Sequence, residues 1–105
     1  MEKQDVLGAL AALAQETRLD VFRMLVRTAP DGATPGEIAE ELGIPAATLS
    51  FHLKELRNAR LVDMERDGRL LRYRPDFQTM RDVLAYLTEN CCQRLGKGRG
   101  RCGRR

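Results

Sequence analysis

The sequence predicts a mainly α domain with one small β-hairpin: four helices, the hairpin, and a last helix. Three observations predict it. Apolar residues recur at helical spacing in five separate segments. Strict apolar–polar alternation occurs in one place, on either side of Asp67-Gly68. A Gly43-Ile44-Pro45 break splits the third and fourth helical segments at the spacing of a helix-turn-helix.

Val6, Leu10 and Leu13 lie at helical spacing and predict a short first helix over residues 5–14. Leu19, Phe22, Leu25 and Val26 form the stripe of a second helix over Arg18–Arg27. Pro30, Asp31 and Gly32 make Thr28–Ala33 a loop. Thr34-Pro35-Gly36-Glu37 then combines a threonine cap, a first-turn proline and a glutamate three residues on, the pattern of a capping box. The third helix runs Pro35–Leu42, with Ile38, Ala39 and Leu42 inward and Gly43 stopping it. Pro45 opens a fourth helix that continues to about Ala59. Leu49, Leu53 and Leu56 point one way, while Ala47, Phe51, Lys54 and Asn58 cluster opposite. Leu61–Arg74 reads as the hairpin, with Asp67-Gly68 as its two-residue turn, Arg66 and Arg69 near the tip and Arg72 further along. Asp76 caps the fifth helix, whose Phe77, Met80, Leu84, Leu87 and Cys91 follow a 3-4-3-4 rhythm. That seam spans about two heptads, too short for an independent coiled coil and suited to packing on a partner.

At 105 residues the chain makes one domain, near the size where dimerisation is a natural supplement to the core. With 43% hydrophobic and 31% charged residues it reads as an ordinary soluble globular protein. Its net charge of +3 is unevenly spread, because all 15 acidic residues precede residue 91 and leave that body at −3. The last 15 residues carry six Lys/Arg and all three cysteines: Cys91, Cys92 and Cys102. The expected organisation is therefore a folded domain over 1–90 and a flexible Cys/Arg/Gly-rich tail over 91–105. The longest apolar run, Gly8 to Ala14, is too short to span a membrane, and no leader pattern precedes it. No membrane partner is expected, and the expected compartment is the cytoplasm, where thiols stay reduced.

A helix-turn-helix followed by an Arg-tipped hairpin is a winged helix-turn-helix. Its recognition helix fits the major groove and its wing sets arginines on phosphates or in the minor groove. The predicted DNA-facing set is Ala47, Thr48, Ser50, Phe51, His52 and Lys54 on the fourth helix, with Arg66, Arg69 and Arg72 on the wing. An outward Phe51 needs a partner, and a thymine methyl is a candidate. The alternative use of such a domain is protein–protein contact. His52, the one histidine, flanks the leucine stripe, half-buried or phosphate-facing, and has no second histidine or nearby cysteine to make it a metal ligand. Glu40-Glu41, Asp63/Glu65 and Asp82/Glu89 read as solvated faces, so no catalytic residues are expected. The three cysteines suit a soft-ion trap or a redox site, against a tail with incidental thiols or a nucleic-acid tether.

Ala14-Gln15-Glu16-Thr17-Arg18-Leu19 before a helix, then Ser50-Phe51-His52-Leu53-Lys54-Glu55-Leu56 followed by Leu61-Val62, resembles the ArsR family of metal-sensing repressors. The match runs from about residue 6 to residue 90. The resemblance implies a homodimeric winged helix whose first and last helices form the interface, here Val6, Leu10, Leu13, Met80, Leu84 and Leu87. It also implies repression relieved by a ligand. Two family sites are absent: Glu37-Ile38-Ala39-Glu40 stands where arsenic-sensing members carry Cys-x-Cys, and Thr79–Glu89 has no histidine for zinc. Arg60 occupies a position usually held by glycine. What remains is Cys91, Cys92 and Cys102, which resembles the C-terminal cysteine sites of another arsenic-sensing group in the family. Trivalent arsenic takes three sulfurs in a pyramid, whereas zinc normally wants a fourth ligand. Arg94, Lys97, Arg99 and Arg101 favour the thiolates. The ten residues from Cys92 to Cys102 reach about 33–36 Å, ample for closing the site.

The expectation is therefore a repressor that binds double-stranded operator DNA and releases it on binding arsenite, or a related organoarsenical or antimonite, with no permanent cofactor. The alternatives are a redox-sensing repressor or a small thiol enzyme. Adjacent cysteines without a Cys-x-x-Cys motif argue against the enzyme.

Overall fold

A computed structural model describes residues 1–94; Cys102, Lys97, Arg99 and Arg101 lie outside the described residues. The chain forms α1 (Lys3–Leu13), α2 (Glu16–Thr28), α3 (Pro35–Leu42), α4 (Ala46–Asn58), β1 (Val62–Asp67), β2 (Leu70–Pro75) and α5 (Phe77–Thr88) in that order. This is a winged helix-turn-helix. Among the described residues, no helix is long and apolar enough to cross a membrane.

Helix α2 is the hub, burying Val21, Phe22, Met24 and Leu25 and packing against α1, α3, α4 and β2. Helix α1 meets it with Val6, Ala9 and Ala12, whose small side chains allow close approach. Val6, expected at a subunit interface, is therefore corrected to a core residue, 2% exposed within its own chain. The leucine rhythm suggested Val6, Leu10 and Leu13 as one face, but the alanines carry the inward face and Leu10 turns outward. Helix α3 begins as its capping box requires: the Glu37 amide donates to Thr34 Oγ1 and the Thr34 amide donates to Glu37 Oε1, at 3.2 and 2.9 Å. Ile38, Leu49, Leu53, Leu56 and Leu61 join this core, with Ala33, Val62, Tyr73 and Val83 from the loop, the hairpin and α5.

Both helices of the helix-turn-helix end in a left-handed residue. After α3 that residue is Gly43 (φ 65°), and after α4 it is Arg60 (φ 65°). At the second end the Arg60 amide donates to the Arg57 carbonyl (2.9 Å) and the Leu61 amide to the Leu56 carbonyl (3.0 Å). These are the two bonds of a Schellman motif, and Leu61 and Leu56 supply its apolar contact, both fully buried.

Strands β1 and β2 pair antiparallel with Val62 opposite Pro75, Met64 opposite Tyr73 and Asp67 opposite Leu70. The two loop residues are thus Gly68-Arg69, one position beyond the expected Asp67-Gly68. Gly68 takes φ 65° at the first loop position, where a tight hairpin requires a left-handed residue. Ala33 adds a single bridge to Tyr73, with amide–carbonyl bonds of 3.0 and 2.8 Å that fasten the α2–α3 loop to the wing. Gly32 makes this possible, since a Cβ there would stand 2.4 Å from the Tyr73 carbonyl oxygen.

Asp76 Oδ1 accepts the Thr79 amide (3.2 Å) and starts α5 as expected. The helix buries Thr79 and Val83 and stops at Thr88. Glu89 is extended and Asn90 takes φ 61°, so the expected helical seam does not reach Cys91.

Candidate nucleic-acid interface and cysteine pair

Packing of Leu49, Leu53 and Leu56 leaves the opposite side of α4 open. Ala47, Thr48, Ser50 and Lys54 are exposed there, and Phe51 is 56% exposed. The first turn of α4 has no acidic residue and no side-chain cap. Its free amides therefore suit an anion such as a backbone phosphate.

His52 does not join that face, which corrects its expected DNA-contacting place. It is 8% exposed, and its Nδ1 lies 3.3 Å from Nη1 of Arg18. Burial first, then the Arg18 charge, lowers its pKa below the usual 6.5, against a smaller raising effect from Glu55. Arg18 is the residue that sequence reasoning missed. It stood in the Gln15-Glu16-Thr17-Arg18 string without a role; in the fold its Nε donates to the Ala12 carbonyl at 2.7 Å.

On the wing, Arg66 and Arg69 point outward and are exposed. Arg72 is held within the domain, 3.3 Å from Asp67 and 3.9 Å from Glu37, and Arg74 pairs with Glu65. These pairs leave Arg66 and Arg69 as the wing's outward cations.

A second exposed face is apolar. Leu84 (56% exposed) and Leu87 (55%) project from α5, and Leu10 (40%) from α1. Leu13 and Met80 instead lean on the protomer's own core.

Cys91 and Cys92 lie just past α5 with their Sγ atoms 3.2 Å apart. The described residues include no group of three or more His, Cys, Asp or Glu side chains placed to hold a metal. The third expected ligand, Cys102, lies outside them.

A family profile for a helix-turn-helix domain matches residues 13–65, half the chain and all of the helix-turn-helix. An ArsR-like transcriptional regulator from Rhodococcus sp. RHA1 superposes with a TM-score of 0.72 at 25% identity, over 89% of this chain and 80% of that one. The chain belongs to the ArsR family of winged helix-turn-helix regulators. Another structure with this ArsR fold is the transcriptional repressor BigR from Xylella fastidiosa, at TM-score 0.63 and 28% identity over 84% of this chain and 88% of that one. The HTH-type transcriptional regulator KmtR of Mycobacterium tuberculosis is 37% identical over 79 residues, 75% of this chain. This ArsR chain spans 58% of the KmtR length. Each of these proteins is named as a regulator or repressor of transcription, and none as an enzyme.

Proposed function

We propose that this chain is a homodimeric transcriptional repressor that binds double-stranded operator DNA and releases it on binding trivalent arsenic at Cys91, Cys92 and Cys102. The observation that carries the DNA reading is the exposed face of α4, which presents Phe51, together with the exposed Arg66 and Arg69 of the wing. Apolar and small polar side chains on a helix read base edges, while outward arginines hold phosphates. The apolar Leu10, Leu84 and Leu87 support a dimer, which places two recognition helices on the two halves of a palindrome.

The arsenic reading is supported by the adjacent sulfurs of Cys91 and Cys92 just past α5. Their Sγ atoms stand 3.2 Å apart, close enough for one soft, thiophilic ion to bridge both once reduced. A pair just past the dimer helix is also placed so that ligation can alter the interface. A methylated arsenical needs only two sulfurs, whereas arsenite or antimonite uses three. One observation favours a second reading, redox sensing: among the described residues, no cysteine is a free thiol.

The test is a fluorescence-anisotropy titration of the protein–operator complex with arsenite, zinc and peroxide, the first two under a reductant. Release by arsenite that the Cys91→Ser, Cys92→Ser and Cys102→Ser triple variant loses, while still binding operator, supports the proposal. Release by peroxide alone supports the redox reading. Release of the triple variant by arsenite refutes the cysteine site.

A further inference from the structure

Three helices converge on one side chain, Arg18. Its backbone is fixed by the α2 cap, where the Arg18 amide donates to Gln15 Oε1 at 2.9 Å. Its guanidinium then reaches in two directions. Nε donates to the Ala12 carbonyl (2.7 Å), one of the last-turn carbonyls of α1 that lack an intrahelical donor. Nη1 meets His52 Nδ1 at 3.3 Å on the buried side of α4. The next residue back, Phe51, is the exposed ring of the recognition face, and the two rings stand edge to face with centroids 5.4 Å apart.

We infer that Arg18 and His52 form a positioning joint that fixes the recognition helix α4 against the end of α1, and so sets the pose of Phe51 for DNA. The inference rests on the DNA-binding reading above. Leucine packing holds α4 in the fold but tolerates small rotations and slides, because dispersion contacts are weakly directional. A guanidinium bridging a carbonyl and an imidazole is directional and permits one arrangement.

The joint has a chemical condition. Arg18 is only a donor, so His52 Nδ1 must accept, and the ring must be neutral with its proton on Nε2. Protonating His52 removes the acceptor and sets two cations 3.3 Å apart. Among the described residues, the charges acting on His52 are Arg18 from α2 and, opposing it, Glu55 from α4; α1 contributes an uncharged carbonyl through Arg18. Burial and Arg18 lower the imidazole pKa. The joint is therefore fully present above the ordinary histidine range and is lost as pH falls below it.

The test compares wild type, His52→Leu, His52→Asn, Arg18→Lys and the Arg18→Lys/His52→Leu double variant. Binding to an operator selected by wild type is measured from pH 7.5 to 5.5, with the melting temperature and dimer state of each. Leucine fills the buried site but accepts nothing; asparagine places an oxygen near Nδ1 and does not titrate. At pH 7.5, His52→Leu and Arg18→Lys should each lose about tenfold in specific affinity, equal to about 1.4 kcal/mol. The double variant should lose no more than either single, the signature of one shared interaction. His52→Asn should bind like wild type at pH 7.5 and keep its affinity at pH 5.5, where wild type weakens. Undiminished binding by a folded His52→Leu, or additive losses, overturns the joint while leaving the DNA reading intact. A wild type that binds no duplex at any pH overturns the DNA reading and the joint with it.

Discussion

Arg60 should be a site where glycine stabilises the protein. It sits at φ 65° after α4, and its amide and that of Leu61 close the Schellman motif. A left-handed conformation costs an L-residue about 1–2 kcal/mol, a cost glycine escapes. Against this, glycine gains freedom in the unfolded chain, worth about 0.4–1 kcal/mol. Arg60→Gly should therefore gain about 0.5–1 kcal/mol, a rise of roughly 3–6 °C in melting temperature for a domain of this size. Arg60→Ala is the control, since it removes the guanidinium and keeps the conformational cost. The opposite helix end supplies the mirror experiment. Gly43 has φ +65° with nothing within 4 Å of a built Cβ, so Gly43→Ala meets the conformational cost without a clash. It should lose about 0.5–1 kcal/mol, the same two terms with the sign reversed. Urea and thermal unfolding at one fixed protein concentration measure all three. An Arg60→Gly variant no more stable than Arg60→Ala would refute the reasoning.

Three further outcomes follow from the same structure. Phe51→Ala should leave the melting temperature unchanged and cost about 1 kcal/mol or more on the selected operator, with little loss on random duplex; Arg69→Ala should weaken both alike in the same anisotropy assay. Leu87→Asp should shift the protein to monomer by light scattering and make its melting temperature independent of concentration. Gly32→Ala drives a Cβ to 2.4 Å from the Tyr73 carbonyl at φ +79°, and should lower stability by about 2–3 kcal/mol in urea unfolding.

Much of the architecture was legible because local chemistry and tertiary packing agree. The capping box at Thr34–Glu37 placed the start of α3 and Gly43 its end, and Asp76 placed the start of α5. The leucines of α4 told its inner face from its outer one, and with it the exposed place of Phe51. Legibility failed where a residue's surroundings come from distant segments. Val6 and Leu10 are alike in sequence, and only the arrival of α2 and α4 decides which is inside. His52 carried no sign of its partner, because Arg18 lies 34 residues away. The rhythm of α5 continued numerically to Cys91, yet the helix stops at Thr88 without a glycine or proline to mark the end.

The pairing of Arg72 and Arg74 with carboxylates of their own chain has a consequence for how counterions enter recognition. Each wing offers two outward cations, Arg66 and Arg69, and two copies offer four. If each displaces one condensed cation from duplex DNA, the wings contribute a slope of about −3.6 to log K against log salt. Four outward arginines per wing would have doubled it. Raising salt from 50 to 200 mM then weakens the wing contribution by about 150-fold, rather than by about 20,000-fold. On the DNA-binding reading proposed above, a wing grip this modest favours quick release from random sequence and leaves residence on DNA to the contacts of α4.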